Sequence, residues 1–288
     1  LRKVLREIFS GEAAARQPLR LALRFAKWQA WRRILRRPMP FRTLTGARLA
    51  LLPGASGSLS GFWYQEAPDF EEIMFALHLV RPGDLFVDVG ANQGGWSLSL
   101  AGAGARVLAF EPIPVTRGRL VANLAMNEPG IRSAVRVVAD ALGSEPGHAR
   151  FTAGLDAGNH ILRGDGESAA DTVDVRIETL DAHLGDERPV LIKIDVEGEE
   201  LGVLQGARAS LERPSLAALI IETFRPSNHA RPELVALEAL LGDSGFQPMA
   251  YDPRTRLLRA LREPSEGGQN TLYVRNPSSV SERLRSAP

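Results

Sequence analysis

From residue 70 onward the chain alternates short apolar runs with segments whose apolar residues recur at helical spacing, the pattern of a parallel α/β sheet. Runs at Leu85–Val89, Arg106–Phe110, Val135–Ala139, Val190–Asp195 and Ala218–Glu222 predict five buried strands. Residues 70–80, 95–103, 114–127, 198–211 and 232–243 predict the helices that connect them. Between the third and fourth strands, His148–Thr152 and Thr172–Ile177 read as an antiparallel excursion around a Gly-rich loop, residues 153–168. Gln247–Tyr251 and Thr271–Val274 read as a closing antiparallel pair.

Upstream the pattern is helical over residues 1–37, with breaks at Gly11 and Pro18. Leu21, Phe25, Trp28 and Leu35 recur near helical spacing with Trp31 beside them, while Arg20, Arg24, Lys27, Arg33 and Arg37 fall largely elsewhere. Two roles fit such a helix: packing its apolar stripe on the body or on a second subunit of a homodimer, or lying in a membrane interface. The turn-rich segment 53–61 marks the expected start of the main domain. The organisation read from the chain is therefore a basic helical extension and linker (1–60), an α/β domain (61–275) and a polar tail (276–288).

Composition sharpens this picture at two points. The net charge of +1 conceals 13 Lys and Arg against Glu7 and Glu12 in residues 1–48, which leaves the other 240 residues at −10. A basic arm suits a membrane surface or an anionic partner, whereas an acidic body argues against a nucleic-acid groove. With no Cys among 288 residues, disulfides, thiolate metal sites and a Cys nucleophile are excluded, and a cytoplasmic location, peripheral to the membrane if the arm binds there, is the expectation. The chain begins at Leu1 rather than Met, which leaves its natural N-terminus open.

The most informative segment runs from Leu85 to Trp96, an apolar strand ending in Asp88 and followed by Gly90, Asn92 and Gly94. Glycines there let backbone N–H groups approach a ligand at the carboxyl edge of a sheet. A pyrophosphate-binding fingerprint would place a glycine where Asn92 stands, so an NAD-dependent oxidoreductase is the weaker reading. Asp88 suits an ammonium group, and S-adenosylmethionine offers one without a phosphate. Glu111 closes the second strand, placed to accept hydrogen bonds from both ribose hydroxyls. Asp140 follows the third, where it can accept the adenine amino group while Ala141 flanks the ring. Three strand ends thus describe one nucleoside site.

These motifs resemble the FkbM-type methyltransferases over roughly residues 62–224, through Arg-Pro-Gly-Asp84, Val-Asp-Val-Gly-Ala-Asn92, Ala-Phe-Glu-Pro112, Ala-Asp-Ala-Leu-Gly143, Glu-Thr-Leu-Asp181 and Leu-Ile-Lys-Ile-Asp-Val-Glu-Gly198. The resemblance implies a Rossmann-like class I methyltransferase fold, α/β with a mostly parallel central sheet and an antiparallel C-terminal pair. It further implies S-adenosylmethionine as donor and a hydroxyl of a sugar, glycan or polyketide-like metabolite as acceptor. Many relatives carry His where this chain has Glu199, which receives no catalytic role.

O-methylation gains from a group that takes the hydroxyl proton, or from a divalent ion that acidifies it. Asp195 and Glu197, closing the fourth strand, are the candidate bases, with Glu222 at the fifth strand end and His229 in the loop beyond. Glu197 also suits the cap of the following helix, and His229 a solvated loop. Asp195 with Glu222 can hold magnesium or calcium, but the set falls short of a recognised ligand pattern and the side-chain base is preferred. Asn159 and His160, inside the Gly-rich excursion, are placed to close over the acceptor. Lys193, between Ile192 and Ile194, is expected to snorkel or to pair with an acid. A non-catalytic nucleoside-binding protein on the same scaffold is the remaining alternative.

Overall fold

A computed structural model of the chain describes residues 18–52, 59, 62–63, 69–152, 172–196, 198–223, 232–262 and 269–288. The predicted strands are β3 (Leu85–Val89), β4 (Arg106–Phe110), β5 (Val135–Val138), β9 (Pro189–Ile194) and β10 (Ala218–Glu222). All five pair in parallel, in the order β5-β4-β3-β9-β10. Their near-continuous apolar sequences follow from coverage on both faces; every residue of β3 is buried. The closing strands, β11 (Phe246–Asp252) and β13 (Asn270–Arg275), are antiparallel to one another, with β13 inserted between β10 and β11. An additional strand, β12 (Leu257–Ala260), hairpins onto the outer side of β11.

Chain order reverses beside β3: β4 and β5 lie to one side, β9 and β10 to the other. Such a reversal leaves a crevice at the carboxyl ends of the strands, where loops diverge. One face of the sheet is covered by α2 (Phe70–Leu79), α3 (Gly95–Gly102), α4 (Pro114–Ala125) and α5 (Pro129–Ala134). The other is covered by α6 (Leu180–Leu184), α7 (Glu200–Gln205), α8 (Arg208–Leu211) and α9 (Pro232–Asp243). The helix expected over 198–211 divides at Gly206, whose backbone lies against the Gly143 carbonyl. The antiparallel excursion is present as β7 (Gly147–Thr152) and β8 (Thr172–Glu178), joined by the short β6 (Ala141–Leu142).

Two regions differ from the sequence reading. The core reaches upstream of the turn-rich connection: α1 (Pro18–Ile34) buries Leu21 and Trp28 in the same cluster as α2 and α3. A hairpin of β1 (Met39–Arg42) and β2 (Arg48–Leu51) adds Met39, Phe41 and Leu49. Its backbone is satisfied by α4 and the residues after it, since Asn123 Oδ1 accepts from Ala50 N at 3.0 Å and Asn127 Oδ1 from Arg48 N at 2.6 Å. Residues 276–288, read as a polar tail, contain α10 (Pro277–Arg285), which buries Val280 and Leu284 in that cluster while its Arg283 pairs with Asp84.

Candidate active site

The loop after β3 is folded tightly over its neighbours. Gly90 N and Ala91 N both donate to Phe110 O, at 3.1 and 2.9 Å, which ties the loop to the end of β4. Gly90 has φ +80, and a Cβ on it would lie 1.9 Å from the backbone oxygen of Asp195. Only glycine permits this closeness to the end of β9. Asn92 also adopts the left-handed conformation, φ 51, and its N–H donates to Glu111 Oε2 at 2.9 Å. Gly94, φ 88, turns the chain into α3.

Glu111 is clamped from both sides, because its Oε1 accepts from Ile113 N at 3.0 Å. Burial pushes its carboxyl up to about 7, against the opposing pull of the Ile113 and Asn92 N–H groups. Each oxygen retains acceptor capacity for a second donor, as two vicinal hydroxyls require.

Beneath the loop lies a buried ionic cluster. Lys193 stands opposite Asp88 in the parallel register of β3 and β9. Its Nζ donates to Asp195 Oδ2 at 2.7 Å and sits 5.6 Å from the centre of the Trp96 ring. Burial alone would discharge the ammonium, but Asp195, Asp88 and Asp69 together hold its pKa above the usual lysine value. Asp88 is 0% exposed; its Oδ2 accepts from Ser97 Oγ at 2.6 Å, and its Oδ1 has no partner among the described residues. Burial raises the pKa of Asp88, and likewise that of Asp69, which is hydrogen-bonded to Asn270. The cation opposite Asp88 in the sheet is thus the chain's own Lys193. Asp195, by contrast, has a side chain 38% exposed at the carboxyl edge of the sheet. Glu222 closes β10, one position beyond the Ile194–Ile221 register pair.

On the opposite flank, Asp140 and Ala141 follow β5 as expected. Asp140 Oδ2 lies 3.0 Å from His183 Nε2 and 3.6 Å from Arg176 Nη1, and the His183 ring meets Phe110 edge-on at 5.0 Å. Ala141 is covered by Ile113, Phe151 and Val175. His183 carries no functional expectation from the sequence, where its only signal is proximity to Asp181. That Asp181 caps α8 by accepting from Ala209 N and Ser210 N, both at 2.8 Å. Glu197, Asn159, His160 and His229 lie outside the described residues. Among the described residues no group of three acidic, His or Cys side chains converges as a metal site.

A glycine loop at the reversal point, with acidic residues at successive strand ends, is the layout of a nucleoside-binding α/β enzyme. The Methyltransferase FkbM domain matches residues 88–248. The chain belongs to this family. The matched span begins at Asp88 itself and takes in the glycine loop, Glu111, Asp140, Lys193, Asp195 and Glu222. Methyltransferase sdnD of Sordaria araneosa is 34% identical over 219 residues, covering 64% of this chain and 81% of its own length. The 31-O-demethyl-FK506 methyltransferase FkbM of Streptomyces tacrolimicus is 34% identical over 229 residues, with 67% and 84% covered. A crystal structure of methyltransferase FkbM from Methylobacillus flagellatus KT aligns with a TM-score of 0.47 at 20% identity, over 75% of this chain. The FkbM-family chain spans about half, 52%, of that protein. Membership of a methyltransferase family implies S-adenosylmethionine as the methyl donor.

Proposed function

We propose that the chain is an S-adenosylmethionine-dependent O-methyltransferase acting on a hydroxyl of a sugar, glycan or polyketide-like metabolite. The observation that carries this reading is Asp195: a partly exposed carboxylate, anchored from below by Lys193 and in backbone contact with the glycine loop. The name of the Streptomyces tacrolimicus relative, a 31-O-demethyl-FK506 methyltransferase, supports a hydroxyl acceptor. Family membership sets aside the dinucleotide oxidoreductase.

The residues fit the donor. Glu111 would accept from the ribose hydroxyls, Asp140 from the adenine amino group, and the backbone of Gly90–Gly94 would line the remainder. When bound, the donor supplies an electrophilic methyl group. Asp195 accepts the hydroxyl proton of the acceptor and so directs an oxygen lone pair toward the transfer site. Lys193 holds that carboxylate in one orientation, which restricts the acceptor to a productive pose. The ammonium at Asp195 Oδ2 already supplies the positive charge that a divalent ion would bring there. Asp195→Asn is therefore expected to lower turnover by about 10²-fold while donor binding persists, with chelator leaving the wild-type rate unchanged. Methyl transfer to a panel of sugar, glycan and polyketide hydroxyls checks this. A rate abolished by chelator and restored by magnesium would assign the role to a metal, and wild-type turnover in the Asn variant would remove Asp195 from the reaction.

A pH dependence follows from Glu111. Its raised pKa means that the free protein keeps the proton up to about 7, whereas accepting from ribose hydroxyls favours the ionised form. Donor affinity should rise with pH and level off above 7, with Kd about tenfold weaker at pH 6 than at pH 8. The same shift makes the free protein lose stability as pH rises from the ordinary Glu value through 7. Calorimetric titration at both pH values tests the linkage, and Glu111→Gln should flatten it.

A further inference from the structure

The apolar face that α1 turns to the body is not its only one. Leu21 and Trp28 are buried against the core, and the helix is fastened there by Trp63, whose Nε1 donates to Arg24 O at 3.2 Å. Arg24 and Lys27 both stand over the Trp63 ring, at 5.4 and 5.5 Å. On the opposite side Leu19, Leu23, Ala26, Ala30 and Ile34 line up within an arc of roughly 80°. Leu19 is 78% exposed, Leu23 66% and Ile34 77%. This second stripe is bordered by Arg33 along one edge and by Arg20 and Lys27 along the other, all exposed, and Arg36 and Arg37 follow at its end. Residues 18–37 contain no Asp or Glu.

We propose that this outer face of α1 is a docking surface for an anionic lipid membrane, on which the helix lies in the plane of the interface. Charge complementarity selects this occupant: a narrow apolar stripe between cationic borders, without one acidic residue, matches acyl chains beneath anionic headgroups. Among the described residues no helix is long and apolar enough to cross a membrane, so the contact is an interfacial one. The surface also stands close to the chemistry. Phe62, next to Trp63, packs directly on Gly95 at the start of α3, so α1 and the donor loop are linked through two consecutive aromatic residues.

The test is flotation of the full chain with phosphatidylcholine vesicles containing about one third phosphatidylglycerol, against pure phosphatidylcholine. The chain should float with the anionic vesicles, and the bound fraction should fall by about tenfold on pure phosphatidylcholine, in high salt, and in the double variant Leu23→Glu, Ile34→Glu. Both side chains are solvent-exposed, so that variant should keep the wild-type thermal midpoint. Absence of flotation on anionic vesicles would overturn the proposal, as would flotation unaffected by the double variant. A wild-type dimer that the same substitutions convert to a monomer, without vesicle binding, would instead assign the stripe to a second copy of the chain.

Discussion

Replacing Lys193 with Met should destabilise the protein by about 3–5 kcal/mol at pH 8, the cost of removing one partner from a buried ion pair. The ammonium is 3% exposed and is the cation toward which Asp195, Asp88 and Asp69 are all attracted. Without it, Asp88 keeps its hydrogen bond from Ser97 but loses the attraction of the ammonium, and its fully buried charge must be given up by taking a proton. The sign of the pH dependence follows. Carboxyls whose folded pKa is raised lose stability as pH rises through that pKa, so the gap between variant and wild type should widen from pH 5 to pH 8. Asp88→Asn in the Lys193→Met background should recover part of the loss at pH 8, because it removes the stranded charge while keeping the acceptor for Ser97. Urea denaturation of the four proteins of this cycle at both pH values measures the coupling. Turnover should fall with stability corrected for, since Asp195 would lose its anchor. A Lys193→Met protein as stable as wild type at pH 8 would show that the cluster does not depend on the ammonium.

Gly90→Ala is expected to have an effect of similar size by a different route. The new methyl carbon would sit 1.9 Å from the Asp195 carbonyl oxygen, and backbone cannot yield as a side-chain tip does. The left-handed φ of +80 adds strain of its own. Together a strained backbone and overpacking should cost about 2–5 kcal/mol, which corresponds to a Tm lower by roughly 5–15 °C. The loop must lift away from the end of β9 to accommodate the methyl, which carries Asn92 N–H away from Glu111. Donor affinity should therefore fall by about 10²-fold or more even at temperatures where the variant is folded. Scanning calorimetry and donor titration check the two effects separately. Wild-type values in both would mean that the loop does not close against β9.

The strands could be read in the chain because parallel strands covered on both faces are written as unbroken apolar runs, and the glycines at 90 and 94 mark where such a run must turn. The positions of Glu111 and Asp140 followed from the same fact, since a residue closing a strand of known order is placed by the sheet. Shorter elements escaped. β1 and β2 have four residues each, too few for alternation to stand out, and β2 also bonds through its backbone to Asn123 on the distant α4 and to Asn127 just beyond that helix. In α10 only Val280 and Leu284 are buried in an otherwise polar segment, so burial there depends on what α2 and the sheet present to it.

The site divides in the same way. The fold class, the glycine loop, the carboxylates at two successive strand ends and a Lys in need of an acid are legible in the chain. Only the folded structure shows that this acid is Asp195, that Asp88 stands opposite Lys193, that His183 reaches Asp140, and that α1 keeps a second apolar stripe in solvent. The reason is physical. Periodicity reports which side of an element is apolar, a property of residues near one another in the chain. Which side chains meet depends on strand order and register, and these are set by packing among elements far apart in sequence.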